Sequence, residues 1–209
     1  MNRSIAIAML LALNLAGSAP ATAAAPTPRV VFAGGCFWGM QLVFSSLKGV
    51  STAVAGYAGG NADTAQYEVV STGATGHAES VQVTYDPARI SFKQLLDVYF
   101  LVAHDPTQLN RQGPDTGTQY RSEIFYTSDQ QRAEALAYIA RLGTQHVYSS
   151  KVVTVVAPLH GFYPAEAYHQ DFAIHNPQNP YIVYNDIPKM TKLRSEFPQL
   201  VKADAPFKE

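Results

Sequence analysis

Along residues 28–209, segments with the apolar pattern of a strand alternate with segments whose apolar residues have the spacing of a helix. Each change from one pattern to the other marks the boundary of a predicted element. Residues 30–33 form a short apolar run, which is typical of a buried strand. The apolar residues that follow recur at the helical spacing i, i+3, i+4 and i+7, namely Met40, Val43, Phe44 and Leu47. This pattern predicts a helix that begins near Cys36 and stops before Gly49.

The same reasoning divides the middle of the chain into further strands and helices. Strands are predicted for residues 51–60, 77–85, 120–126 and 152–157. Ser91 and Gln94 have the spacing of a capping box, which predicts that a helix begins there. Another helix is predicted to be capped by Thr127 or Ser128 and to end near Gly143.

The chain from residue 158 onwards is rich in proline, asparagine and aromatic residues. It carries too many aromatic side chains for a solvated, disordered tail, so we expect an ordered wrap of long coil over the core. Short helical segments are predicted only near residues 165–172 and 189–197. No repeat or linker divides residues 28–209, which are therefore predicted to form one α/β (α+β) domain with a mixed sheet.

Residues 1–25 have the organisation of a signal peptide. Arg3 provides a positive start, a short apolar run follows, and Ala21-Thr22-Ala23 offers a cleavage site. Retention as a membrane anchor is the alternative, but the apolar run is shorter than a helix that spans a bilayer. We expect the mature chain to be exported to a periplasm or secreted, without membrane attachment once the leader is removed.

Composition limits the classes of partner and of chemistry. The chain has 209 residues, a net charge of −1, 47% hydrophobic and 15% charged residues, and no basic run, so nucleic acid is not expected as its main partner. It has a single cysteine, Cys36, which cannot form an internal disulfide. This thiol can pair with another chain, lie inert in the core, or react.

Cys36 follows Gly34 and Gly35 at the point where a strand becomes a helix. The positive end of the helix dipole and the unpaired backbone N–H groups there favour a thiolate, the nucleophilic form. The glycines permit a tight turn and leave the sulfur approachable. Phe37 and Trp38 follow directly, and they can form an apolar slot for a small methyl or thioether group or pack in the core.

Glu79 lies within the predicted strand at residues 77–85. Strict alternation places its carboxyl on the same face as Val81, Val83 and Tyr85. Burial there raises the pKa of a carboxyl, which suits a general acid at neutral pH. The alternative is an ordinary strand-end glutamate that reaches water or pairs with an arginine.

Further polar candidates lie in loops. Residues 111–122 contain Gly, Pro and Asp and lead into a strand, which places Asp115 and Tyr120 where loop residues often act in chemistry. Tyr67 follows a glycine-rich stretch, and a tyrosine hydroxyl can bind an oxygen atom without carrying charge. Taken singly, each of these residues is more often structural.

Together these segments resemble a known family, the A-type peptide methionine sulfoxide reductases. The resemblance covers nearly all of the chain after the leader, in the family's order and spacing. The segments that carry it are GGCFWG, GYAGG, TGHAESVQVTYDP, HDPTQLNRQGPDTGTQYRS and FYPAEAYHQDF. The combination of GCFWG, GHAE and GTQYRS is far more specific than a lone cysteine motif.

The resemblance implies a two-layer, ferredoxin-like sandwich with long coil, and an enzyme that reduces methionine S-sulfoxide, free or in proteins. Cys36 matches the nucleophile that attacks the sulfoxide sulfur. Glu79 matches the acid that protonates the sulfoxide oxygen. Such proton donation contributes about a hundred- to ten-thousand-fold to a rate.

The remaining family positions surround that reaction. Tyr67 and Tyr120 match the phenols that bind the sulfoxide oxygen. Asp115 matches a polar residue of the pocket, and Phe37 and Trp38 match the walls that hold the S-methyl group. The resemblance implies neither a metal nor a bound cofactor.

The chain departs from many relatives near its C-terminus, where they carry further cysteines that reduce the sulfenic acid left on the nucleophile. Here the corresponding region, NPQNPYIVYND, has Tyr181 and Tyr184 but no thiol. An external thiol must therefore regenerate Cys36, and thioredoxin-like proteins, glutaredoxin-like proteins and glutathione are the candidates. We expect the protein to act as a monomer.

Other readings of the residues remain open. A thiol peroxidase or a cysteine-dependent hydrolase would use a histidine base, and the candidates are His77, His104, His160, His169 and His175. A metal site is not predicted, since His169 and His175 lack the i, i+4 spacing, and His169 is expected to be a hydrogen-bonded structural residue. The non-enzymatic alternative is a module that binds methionine side chains.

Overall fold

The computed structural model describes residues 27–207. Eight strands and six α-helices follow one another in this part of the chain. The strands are β1 Arg29–Gly34, β2 Val50–Ala58, β3 Ala78–Tyr85, β4 Arg111–Gln112, β5 Asp115–Thr116, β6 Ser122–Tyr126, β7 Val155–Pro158 and β8 Phe162–Pro164. The helices are α1 Phe37–Ser45, α2 Tyr67–Val70, α3 Phe92–Val98, α4 Asp129–Thr144, α5 Phe172–His175 and α6 Ile187–Glu196.

Six strands form one mixed sheet in the order β7-β6-β1-β3-β2-β8, and β4 pairs only with β5. All neighbours in the large sheet are antiparallel except β6 and β7, which are parallel. The central order β6-β1-β3-β2, with α1 after β1 and α3 after β3, is that of a ferredoxin-like split β-α-β fold. The predicted fold class is thereby confirmed.

The main core lies between the helices and one face of the sheet. Side chains of β1 and β3 alternate into it, and Phe32 stacks against both Phe44 of α1 and Tyr99, with ring centroids 4.9 and 4.8 Å apart. A smaller apolar cluster covers the opposite face around Phe125. This two-layer packing fixes α1 firmly on the sheet, so its first turn is held over the ends of β1 and β3.

Local signals predicted most element boundaries. The capping box of Ser91 and Gln94 forms at the start of α3. Ser128 caps α4 by accepting a hydrogen bond from the backbone N–H of Gln131 at 3.2 Å. The short elements α2 and β8 were not predicted, and β7 begins at Val155, after the expected residue 152.

The C-terminal segment is an ordered wrap, but it is more helical than expected. A π-helical turn at Ile182–Asp186 runs directly into α6, whose side chains Met190 and Leu193 are buried. Pro188 lies in the first turn of α6, where the missing N–H costs nothing. Helix was expected only near residues 165–172 and 189–197, so the expectation of coil was wrong for residues 182–188.

The predicted signal peptide at residues 1–25 lies outside the described residues. Within residues 27–207, no helix has the length and hydropathy needed to cross a membrane.

Candidate active site

Cys36 lies between β1 and α1 and occupies the N-cap position of that helix. The turn depends on Gly35, whose φ of 91° is a backbone conformation that residues with side chains rarely adopt. Gly34 lies so close to the ring of His104 that a Cβ there would come within 2.8 Å of it. Cys36 as a whole residue is only 8% exposed and is therefore buried.

The resting thiol differs from the sequence-based expectation of a thiolate. Burial raises the pKa of Cys36 well above its usual value, and the charges of Glu79 and Asp186 raise it further. The backbone N–H of Trp38 and the ammonium of Lys189 lower it, but by less. The helix N-terminus therefore acts on Cys36 as expected, but burial and the two carboxyls outweigh it.

Glu79 reaches the same turn from β3. Its Oε2 atom accepts a hydrogen bond from the backbone N–H of Phe37, the residue after Cys36, at 3.1 Å. The side chain is only 2% exposed. Burial raises the pKa of Glu79 to about 8, with the Phe37 hydrogen bond opposing and the charge of Asp115 adding to the shift. Among the described residues Glu79 makes no ion pair, which contradicts the alternative of an ordinary surface glutamate.

The two predicted phenols converge on this pair. Tyr67 is the first residue of α2, and Tyr120 ends a 3-10 turn before β6. Burial raises the pKa of both hydroxyls, and the charges of Glu79 and Cys36 raise it further, which places both phenols within electrostatic reach of the acid and the thiol. Both phenols are therefore neutral hydrogen-bond donors at physiological pH.

Asp115 belongs to the same cluster through Tyr181. The Tyr181 hydroxyl donates a hydrogen bond to Oδ2 of Asp115. Burial raises the pKa of Tyr181, and the charges of Cys36 and Asp115 add to that shift. Asp115 in turn raises the pKa of Glu79 and Tyr120. The four predicted polar side chains, those of Glu79, Tyr67, Tyr120 and Asp115, thus belong to one electrostatically coupled cluster with the thiol.

The two predicted walls have different environments. Phe37 is 1% exposed and packs on Tyr57, with ring centroids 5.9 Å apart. Trp38 is partly exposed and stacks on Phe172 at 3.9 Å with an interplanar angle of 14°, while Tyr181 meets it edge-on at 5.8 Å. Trp38 is therefore the partly exposed wall residue, held by the C-terminal segment, and Phe37 is the buried one.

A sequence profile described as "Peptide methionine sulfoxide reductase" matches residues 28–201. The chain belongs to this family. A relative from Mesorhizobium japonicum, named peptide methionine sulfoxide reductase MsrA 2, is 57% identical over 178 residues, which cover 85% of this chain and 91% of the relative. Another relative of that name, from Synechocystis, is 47% identical over 184 residues, which cover 88% of this chain and 86% of the relative.

Solved structures of reductases agree with this assignment. The reduced form of Mxr1 from Saccharomyces cerevisiae is 36% identical, with a TM-score of 0.68 over 73% of this chain and 87% of that chain. Methionine sulfoxide reductase A of Corynebacterium diphtheriae is 34% identical, with a TM-score of 0.64 over 73% of this chain and 76% of that chain. This reductase family member therefore shares its fold with these two solved structures.

His169 is the hydrogen-bonded structural residue that the sequence predicted, because its Nδ1 atom accepts a hydrogen bond from the Trp38 indole N–H at 3.1 Å. Sequence reasoning missed another residue near the reductase site. Asp186, which was not singled out at all, is fully buried and pairs with Lys189 at 3.1 Å. A Cβ added to Gly39 would lie 2.0 Å from its Oδ1 atom, so Asp186 contacts the first turn of α1.

No histidine of this reductase acts as an evident base for Cys36. Within residues 27–207, both ring nitrogens of His77 and His104 and the Nδ1 atom of His169 bond to other groups, and no histidine bonds to the thiol. The Nε2 atom of His169 is buried and has no partner among the described residues. Burial lowers the pKa of His104 to about 4, so it is neutral. In the same range, no three His, Cys, Asp or Glu side chains are grouped as a metal site requires.

The described cavities lie away from this chemistry. Their volumes are about 510, 490, 450 and 360 Å³, and Cys36 lines none of them. The reductase site is therefore identified by the grouping of its side chains.

Proposed function

We propose that this chain reduces methionine S-sulfoxide, free or within proteins, to methionine. The observation that carries the proposal is the buried carboxyl of Glu79 beside Cys36, bonded to the backbone N–H of Phe37 at 3.1 Å. With a pKa of about 8, this carboxyl keeps its proton at neutral pH. Oε2 accepts from Phe37, and Oε1 makes no hydrogen bond to the described residues, so Oε1 can carry the proton that a sulfoxide oxygen needs.

The reaction balances in two electrons. The Cys36 sulfur attacks the sulfoxide sulfur while Glu79 protonates the oxygen, which then passes to Cys36 as a hydroxyl group. Methionine leaves as a thioether, reduced by two electrons, and Cys36 is oxidised by two electrons to sulfenic acid. The thiol proton returns Glu79 to its protonated form, so no external acid is consumed.

The protonation state of Glu79 also governs the reactivity of the Cys36 thiol. While Glu79 is neutral, it exerts no charge repulsion on a thiolate, and the N–H of Trp38 and the ammonium of Lys189 still favour one. A protonated acid and a thiolate are thus mutually compatible. The high pKa of the resting thiol keeps it protonated until substrate arrives, which limits its side reactions.

The phenols and the aromatic walls account for substrate choice. Tyr67 and Tyr120 donate hydrogen bonds to the sulfoxide oxygen, Trp38 and Phe37 hold the S-methyl group, and Asp115 lines the pocket. Because oxygen, methyl group and attacking sulfur each have a fixed place around a stereogenic sulfur, one epimer fits and the other does not.

Regeneration uses a thiol from outside the chain. With Cys36 as the only cysteine, an external thiol must attack its sulfenic acid, forming a mixed disulfide and releasing water. A second thiol then breaks that disulfide. Thioredoxin-like proteins, glutaredoxin-like proteins and glutathione all fit this chemistry, and no bound cofactor takes part.

We further propose that the protein works as a monomer in a periplasm or outside the cell. The signal-peptide pattern of residues 1–25 supports the location. Fractionation of cells that express the full chain, with N-terminal sequencing of the product, tests the location, and light scattering tests the oligomeric state.

One turnover assay tests the proposed activity. Methionine S-sulfoxide, its R epimer, a peroxide and an ester are offered with dithiothreitol to the wild type and to Cys36→Ser. We expect turnover of the S epimer alone, and none by Cys36→Ser. Turnover of peroxide or ester in preference to the sulfoxide would replace the proposal with a peroxidase or a hydrolase. Sulfoxide binding without turnover would make the chain a binding module.

A further inference from the structure

The carboxylate of Glu166 joins two parts of the active site that are distant in sequence. Its Oε2 atom accepts a hydrogen bond from the Tyr57 hydroxyl at 2.8 Å. Its Oε1 atom accepts one from the backbone N–H of Tyr67 at 2.9 Å. Glu166 follows β8, Tyr57 lies in β2, and Tyr67 begins α2, so three separate segments meet at one side chain.

The Tyr57 contact acts on the wall of the pocket. Tyr57 is fully buried, and its ring packs on Phe37 at 5.9 Å. In the sheet Tyr57 is also the direct cross-strand partner of Glu79. Fixing the Tyr57 ring by its hydroxyl therefore fixes the support of Phe37 next to the acid.

The Tyr67 contact acts on an oxygen-binding phenol. α2 has only four residues, which is too short to be stable alone, and no side chain of its own N-cap residue bonds to its first turn. Glu166 supplies the missing acceptor to the first N–H of this helix. The position of the Tyr67 ring thus depends on a side chain 99 residues further along the chain.

A third link runs through the backbone. The carbonyl of Glu166 accepts a hydrogen bond from the N–H of His169 at 2.9 Å. The His169 ring in turn accepts the indole N–H of Trp38. Glu166 is therefore connected to Phe37, Tyr67 and Trp38, although it does not itself touch the thiol or the acid in these contacts.

The charge state of Glu166 suits a double acceptor. Burial acts to raise its pKa, but the hydrogen bonds from Tyr67, from its own backbone N–H and from Tyr57, together with the charge of His169, lower it by more, so the net pKa lies below the usual value. An ionised carboxylate accepts at both oxygens. A glutamine side chain has only one acceptor oxygen. Its NH₂ group would therefore face either the backbone N–H of Tyr67, which cannot accept a hydrogen bond, or the Tyr57 hydroxyl, which can.

We propose that Glu166 is a positioning residue for sulfoxide recognition, holding the Tyr67 phenol and the Phe37 wall in register so that the site binds and selects the S epimer. This inference rests on the roles proposed above for Tyr67 and Phe37. Glu166 sets where the substrate's oxygen and methyl group lie, and it leaves the reactivity of the free thiol unchanged.

The test compares Glu166→Gln and Glu166→Ala with Tyr57→Phe, which removes only one of the two hydrogen bonds. Glu134→Gln is a matched control, because this glutamate lies on α4 and bonds only to Gln130 among the described residues. For each variant the assay gives kcat and KM with dithiothreitol and the preference for the S over the R epimer. The iodoacetamide alkylation rate of Cys36 is measured without substrate.

We expect kcat/KM for the S epimer to fall about tenfold in Glu166→Ala, mainly through a higher KM, as the loss of one or two net hydrogen bonds implies. In Glu166→Gln and Tyr57→Phe, kcat/KM should fall by less. The preference for the S epimer should likewise decrease most in Glu166→Ala and less in the other two variants. The alkylation rate should stay at the wild-type value. Trp38, the only tryptophan, should show a smaller fluorescence change on substrate addition in Glu166→Ala.

Two results would overturn the inference. One is a folded Glu166→Ala with wild-type KM and epimer preference. The other is a change in alkylation rate that matches the loss of activity, which would mean that Glu166 acts on the thiol. If Glu166→Ala does not fold, unchanged KM and preference in both Glu166→Gln and Tyr57→Phe overturn it equally. A wild type without sulfoxide turnover would instead reject the proposed function.

Discussion

Glu79 and Cys36 are joined through one backbone group, because the Glu79 carboxyl accepts the N–H of Phe37, the residue next to the thiol. The acid is thereby attached to the turn that carries the nucleophile. Any movement of that turn moves the thiol and the hydrogen-bond donor together. The distance between acid and sulfur is thus preserved by the local backbone and by the pairing of β1 with β3.

Glu79→Gln should reduce kcat/KM for methionine S-sulfoxide by about a hundred- to ten-thousand-fold, because it keeps the side chain's shape but removes the acidic proton. In the wild type, kcat/KM should decline above pH 8, where the carboxyl with a pKa of about 8 loses its proton. The variant should lack this decline. A pH series of initial rates checks both, and an unchanged rate at pH 7 would reject the acid role.

The same carboxyl should make stability depend on pH. The pKa of Glu79 is about 8 in the folded chain against 4.5 for an exposed glutamate, so the folded state holds the proton more tightly. The free energy of unfolding therefore falls as pH rises from about 4.5 to 8 and levels off above. Glu79→Gln lacks this loss, so its Tm should exceed that of the wild type increasingly up to pH 8. Equal pH dependence of the two Tm values would contradict the burial of an uncharged acid.

The Asp186–Lys189 pair should tune the thiol in opposite directions. The carboxylate of Asp186 raises the pKa of Cys36, and the ammonium of Lys189 lowers it. Asp186→Asn should therefore lower the thiol pKa and speed alkylation at pH 7.5, whereas Lys189→Met should raise the pKa and slow alkylation. The pH dependence of iodoacetamide alkylation measures both, and shifts in the same direction would refute this electrostatic account.

Gly39 should tolerate no side chain, because an added Cβ would lie 2.0 Å from Oδ1 of Asp186. Gly39→Ala should lower stability by about 1–3 kcal/mol through overpacking. Gly143→Ala is the matched control, since its Cβ meets nothing within 4 Å in α4, and it should raise stability by up to about 1 kcal/mol. Denaturant titration of both variants checks the contrast, which would be lost if Asp186 moved aside freely.

Oxidation by substrate should leave a single product on the chain. With no reductant, a mass spectrum of the enzyme after methionine sulfoxide should show one added oxygen on Cys36, and with glutathione a Cys36 adduct. Formation of a disulfide-linked dimer instead would show that a second copy serves as the external thiol.

Much of the site was predictable because its signals are local. The Gly34-Gly35-Cys36 turn and the alternation that buries Glu79 each involve only neighbouring residues, and the structure places both as predicted. The identity of the oxygen-binding phenols, by contrast, depended on the family resemblance. Tyr67 lies in a four-residue helix that has no hydrophobic period of its own.

The rest could not be predicted because it depends on contacts between distant residues. Trp38 meets His169 across 131 positions, and no periodicity links the two. The resting state of Cys36 was mispredicted for the same reason. The helix dipole is visible in the sequence, but the burial of the sulfur and the nearby carboxylate of Asp186 arise only on folding.

The C-terminal wrap that places Phe172 and Tyr181 on Trp38 also sets when the enzyme can first act. Cys36 is synthesised early, but Asp186 follows about 150 residues later, a delay of roughly 8–30 s at typical translation rates. Until then the nascent chain has its nucleophile without a finished pocket. Catalysis therefore begins only after the C-terminal wrap has been synthesised and has packed against Trp38.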